Sequence, residues 1–110
     1  MEHNKELLRK LAECAAACEM CADACLDEEN IKMMVDCIRL DRDCAKICYA
    51  TASLIASNSR NAESLVTICE EICRKCADEC AQHEMDHCQK CARACEECAE
   101  ACRSYAGVGI

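Results

Sequence analysis

Cys69-Glu70-Glu71-Ile72-Cys73-Arg74-Lys75-Cys76-Ala77-Asp78-Glu79-Cys80 and Cys91-Ala92-Arg93-Ala94-Cys95-Glu96-Glu97-Cys98-Ala99-Glu100-Ala101-Cys102 repeat one spacing, Cys-x3-Cys-x2-Cys-x3-Cys. Steps of four and three residues keep side chains on one inward stripe of a packed helix. Sulfur fills that stripe where most helices place leucine. The same spacing recurs at Cys14, Cys18, Cys21 and Cys25, and again at Cys37, Asp41, Cys44 and Cys48, where one slot has become aspartate. Cys88 lies outside the four copies.

The rest of the composition supports helices. The 110 residues contain no Pro and 2 Gly, with abundant Ala, Glu, Lys and Arg, so helix breakers are scarce. A hydrophobic share of 53% overstates the apolar core, because 16 of those residues are Cys and there is no Phe or Trp. The length fits one domain with a single core.

Four helices follow, at about 4–26, 30–57, 61–82 and 85–106. Asn4 is the expected cap of the first and Gly107 that of the last. Ser57-Asn58-Ser59-Arg60-Asn61 is the clearest loop and offers N-caps for the third helix. No Gly or Pro marks a turn between the last two helices, but the phase does. The seam of Cys80 predicts inward positions at 83, 87, 90 and 94, whereas cysteines fall at 88, 91 and 95. A slip of one residue turns the face by about 100°, so the helix breaks within 83–86. The fold expected is all-α, an antiparallel up-down-up-down four-helix bundle with a Cys-lined core.

Aligning the copies in that topology stacks Cys25, Cys37, Cys80 and Cys91 at one level. Cys21, Asp41, Cys76 and Cys95 come next, then Cys18, Cys44, Cys73 and Cys98, then Cys14, Cys48, Cys69 and Cys102. Met33, Met34, His83, Met85, His87 and Cys88 gather at one end as a mouth rich in soft and borderline ligands. Leu7, Leu8, Leu11, Leu54, Ile55, Leu65, Val66, Ile68 and Tyr105 plug the other. Met20 reads as packing beside the seam, Tyr49 and Tyr105 as structural, and His3 as surface. Asp41 is open between a cap, an acceptor for a neighbouring thiol and a hard-ligand outlier.

Charge and context narrow the function. A net charge of −8 without a basic run argues against nucleic acid. No apolar run suits a membrane span, and no signal peptide is visible, which makes the cytoplasm the expected compartment. In a reducing cytosol dense cysteine signals metal more often than disulfides. Helical i,i+4 thiols also suit disulfide geometry poorly. No activated nucleophile, acid–base pair or open catalytic metal site appears, so an enzyme is not expected.

Seven Cys-x3-Cys pairs result: Cys14/Cys18, Cys21/Cys25, Cys44/Cys48, Cys69/Cys73, Cys76/Cys80, Cys91/Cys95 and Cys98/Cys102. The paired Cβ atoms lie about 6 Å apart and can hold a low-coordinate ion. Soft Cu(I) takes thiolates and thioethers, and one Cu(I) per thiolate is nearly neutral. Zn(II) in four thiolates leaves negative charge in the core, which is costly. Many Cu(I) ions therefore fit better than a few Zn(II). The competing readings are a ferredoxin-like iron–sulfur electron carrier and a Zn(II) metallothionein-like buffer.

The Cys-rich helices, the junction Cys80-Ala81-Gln82-His83-Glu84-Met85-Asp86-His87-Cys88 and the closing Cys repeat resemble the four-helix-bundle copper storage proteins, in their cytosolic bacterial branch. The resemblance spans nearly the whole chain. It implies a homotetramer whose protomers each store multiple Cu(I) ions, with His and Met near the entry end. Asp41 departs from a full sulfur lining and takes a thiol partner from Cys37.

Overall fold

A computed structural model describes residues 2–105, and of Glu2 and His3 the backbone alone. Four α-helices form an elongated bundle of 48 × 17 × 17 Å: α1 (Glu2–Cys25), α2 (Val35–Ala56), α3 (Ala62–Ala81) and α4 (Asp86–Arg103). Each helix packs on its two neighbours around a square, α1 on α2 and α4, and α3 on α2 and α4. The buried stripe of every helix is its cysteine repeat. Alanines beside the thiols, among them Ala15, Ala45, Ala77 and Ala99, are buried too. Their small side chains let the four backbones close on a core of slender sulfur groups.

The ends show how sequence and geometry differ. Helix α1 runs back to Glu2, so Asn4 sits inside the first turn and not at its cap. A 3-10 turn, Ile31–Met34, precedes α2. Its tighter winding carries Met34 into the core, 1% exposed, and leaves Met33 outside at 63%. After α2 the chain makes a Schellman-type stop: Asn58 N donates to Ile55 O (3.0 Å) and Ser59 N to Leu54 O (2.9 Å). Asn58 takes φ 57° there, a left-handed conformation that asparagine tolerates. The side chain of Asn61 does not cap α3; instead the backbone N–H of Asn61 donates to Ser59 Oγ (3.0 Å). Gln82 caps α3 and Met85 is extended before α4, so the break spans 82–85, overlapping the expected 83–86 segment but with Asp86 already in α4. Helix α4 stops at Arg103; the expected cap Gly107 and the side chain of His3 lie outside the described residues.

The apolar end is built from Leu7, Leu11, Ile55 and Val66, all buried, with Leu8, Leu54 and Tyr105 packed against them. Ile68 does not join this plug. It is exposed on α3, as are Met20 on α1 and Tyr49 on α2. Among the described residues no helix is long and apolar enough to cross a membrane.

Candidate metal centre

All sixteen cysteines are free and buried, pointing into one continuous channel of sulfur. Distances between Sγ atoms of different helices run from 3.4 Å for Cys37–Cys80 to 4.0 Å for Cys25–Cys37, with Cys44–Cys73 at 3.6 Å and Cys48–Cys69 at 3.8 Å. These contacts set α1, α2 and α3 in the register that aligned repeats predict.

Helix α4 does not follow that register. Cys88 lies 3.9 Å from Cys21, Cys91 and Cys95 flank Cys18 at 3.7 and 3.6 Å, and Cys95 reaches Cys14 at 3.7 Å. The helix has therefore slid one step of the seam away from the mouth. Cys88 fills the slot expected for Cys91 beside Cys21 and Cys25, while Cys102 keeps its expected neighbour Cys69. Gln89 explains the docking. Its Nε2 donates to His83 O (2.6 Å) and Ala81 O (3.2 Å), tying the first turn of α4 to the last residue of α3 and to the link that follows it.

The channel offers donor sets suited to soft ions. Cys14, Cys44, Cys48 and Cys73 form one; Cys14, Cys18, Cys44 and Cys95 a second; Cys18, Cys76, Cys91 and Cys95 a third; Cys48, Cys69, Cys73 and Cys98 a fourth. In each, all donor atoms lie within 4.8 Å of one another. Sets share members, so bridging sulfurs come with the geometry. At the mouth Cys21, Cys25 and Cys88 join His87 in a mixed set, whose Nδ1 is 3.4 Å from Cys21 Sγ and 3.5 Å from Cys88 Sγ. Burial pushes the Cys25 thiol up and holds that of Cys88 at about 11, so ion binding here releases protons.

The other mouth residues are placed differently. His83 Nε2 is bonded to Glu79 Oε2 (2.9 Å). Hydrogen bonds from the Cys21 and Cys80 thiols pull Cys37 down, and nearby His83 adds to this. Met34 is buried and Met85 packs half-buried against the core, whereas Met33 projects outward. Sequence reading missed Glu79 and Glu28 as partners of the histidines. The first is an i,i+4 pair that spacing could have revealed; the second joins positions 59 apart, and no local signal reports it.

Asp41 resolves as an acceptor for thiols. It is fully buried, and its Oδ1 lies 3.2 Å from Cys76, 3.3 Å from Cys91 and 3.4 Å from Cys80, with Cys37 3.8 Å from Oδ2. Burial, and then charge on Cys91 and Cys37, push its carboxyl from 3.8 to about 8. A raised acid stabilises the fold below the unfolded value and loses that contribution as pH climbs through the folded one. Reduced, metal-free protein should accordingly lose on the order of a few kcal/mol of stability between about pH 4 and pH 8. Asp41→Asn should flatten that slope, as read from denaturant midpoints across the range. An unchanged slope would remove Asp41 as its source.

Comparison with known proteins agrees with this interior. The family model described as copper storage protein matches residues 1–107. An uncharacterised cysteine-rich protein of Bacillus subtilis, YhjQ, is 38% identical over 105 residues, 96% of this chain and 97% of the relative. The Cu(I)-bound copper storage protein BsCsp3 superposes with a TM-score of 0.89 at 38% identity, covering 93% of this chain and 96% of its own. A cytosolic copper storage protein from Streptomyces lividans, with five coppers, gives a TM-score of 0.88 at 37% identity, over 93% of this chain and 90% of that one. With its repeats, bundle and sulfur channel alike, this chain belongs to the copper storage protein family.

Proposed function

We propose that the chain stores and detoxifies Cu(I) in the cytoplasm, holding many ions on core thiolates without catalysing a reaction. The observation that carries this reading is the set of four-thiol groups, contributed by different helices and linked by shared sulfurs. Thiolates select soft, low-coordinate ions, and near-neutral Cu(I)–thiolate units fit a core that water does not reach. The ligands are the sixteen cysteines, with His87 and the residues around it serving ions as they arrive. Entry lies at the end holding His83, His87, Met34 and Met85. The family resemblance supports a homotetramer, and the net charge of −8 together with the absence, among the described residues, of a helix long and apolar enough to span a membrane supports a protein that works away from nucleic acid and membrane.

An anaerobic titration of the reduced chain against a competing Cu(I) chelator tests this. Colourless binding of far more than about four Cu(I) per chain is expected, because four tetrahedral ions would already use sixteen thiolates. A brown protein with acid-labile sulfide, or saturation near that number of Zn(II) with weak Cu(I) uptake, would overturn it.

A further inference from the structure

We propose that Glu28 is a positioning residue for copper entry, holding His87 so that its Nδ1 completes the ligand set of Cys21, Cys25 and Cys88. The proposal rests on the Cu(I) storage reading and identifies how its outermost mixed site is organised.

The geometry is specific. His87 Nε2 lies 3.0 Å from Glu28 Oε2, while Nδ1 of the same ring faces Cys21 Sγ at 3.4 Å and Cys88 Sγ at 3.5 Å. A carboxylate accepts but does not donate, so the Nε2 side must carry the proton. With that proton on Nε2, Nδ1 is the ring nitrogen left to aim a lone pair at the thiols, as a metal ligand requires. Carboxylates that take the outer N–H of a ligating histidine fix its tautomer, aim its ring and raise its basicity.

Glu28 is itself held in place. The chain leaving α1 tightens through Leu26 N to Asp23 O, Asp27 N to Ala24 O and Glu28 N to Cys25 O, at 3.1, 3.1 and 3.2 Å. This turn fixes the Glu28 backbone directly after the ligand Cys25. The carboxylate meets the first turn of α4, where the helix dipole favours negative charge. The side chains of both residues are half-buried, 30% exposed for Glu28 and 23% for His87, so the pair forms a wall of the mouth. The pair of His83 and Glu79 differs, since it closes within four residues of one segment. Glu28 and His87 instead bind the α1–α2 link to the start of α4, directly over the first thiols that an ion meets. Each Cys21 or Cys88 thiol that takes Cu(I) gives its proton to solvent, while the Nε2 proton stays on the Glu28 hydrogen bond.

The test compares Glu28→Ala and Glu28→Gln with the parent chain, each also in a His87→Ala background. Nitrogen-15 NMR of the reduced, metal-free protein should show His87 protonated at Nε2 in the parent and in Glu28→Gln, whose amide carbonyl still accepts. Glu28→Ala should give mixed tautomers. In chelator competition Glu28→Ala should bind its first Cu(I) ~10–100-fold more weakly, Glu28→Gln should recover most of that loss, and total capacity should be unchanged. In the His87→Ala background Glu28→Ala should have no further effect. A preserved tautomer and first-ion affinity in Glu28→Ala, or an equal loss without His87, would overturn the proposal. Low copper capacity in the parent chain would instead count against storage, and the metal-free tautomer would still report on Glu28.

Discussion

Serine at both Cys44 and Cys95 should remove about half of the Cu(I) capacity, because hard oxygen replaces soft sulfur where donor sets overlap. Cys44 lies 3.7 Å from Cys14, 3.6 Å from Cys73 and 4.0 Å from Cys95. Cys95 lies 3.7 Å from Cys14, 3.6 Å from Cys18 and 3.9 Å from Cys91. Three of the five donor sets described above contain one or both residues. The set at the mouth and that of Cys48, Cys69, Cys73 and Cys98 survive, cut off from each other. Two thiols of sixteen are one eighth of the sulfur, so a loss in proportion to thiol number would contradict shared bridging. The measure is anaerobic chelator-competition stoichiometry, with helicity by circular dichroism to confirm the fold. Cys102→Ser is the control. Its partners Cys69 and Cys98 lie at the closed end, and its loss should be about one ion if each thiolate accounts for one Cu(I).

The same overlap explains what could and could not be read from the sequence. A four-three repeat reports which residues share a helix face, and that was enough to name fifteen of the sixteen buried thiols and the bundle around them. Equal repeats also align antiparallel helices, which places Cys37 by Cys80 and Cys44 by Cys73. The slide of α4 was not legible, because it depends on how Gln89 meets the carbonyls at the end of α3 and not on the repeat. Nor does periodicity separate Met33 from Met34; the change to a 3-10 turn does. Asp41 was recognisable as a broken slot, but its role needed Cys76, Cys80 and Cys91 brought together from two other helices.

Copper loading should raise the thermal midpoint by tens of degrees. The metal-free core is thin: besides thiols, the largest fully buried side chains are Leu7, Leu11, Met34, Thr51 and Asp41. Packing of small groups supplies little hydrophobic stabilisation, so bound ions can dominate. A ligand held at a hundred times its dissociation constant adds about 2.7 kcal/mol per site, and each kcal/mol moves the midpoint of a domain this size by about 4–8 °C. Several occupied sites then exceed the stability of an ordinary small domain, which is about 5–15 kcal/mol. The unfolded chain keeps its thiols and also binds Cu(I), which reduces the gain. It cannot hold four sulfurs from three helices within 4.8 Å of one another, so the folded state retains the advantage. Anaerobic calorimetry at increasing copper loads should show the midpoint climbing with each addition and climbing less in the Cys44→Ser, Cys95→Ser chain. A midpoint that stays level while copper binds would place the metal on the surface, outside the sulfur channel.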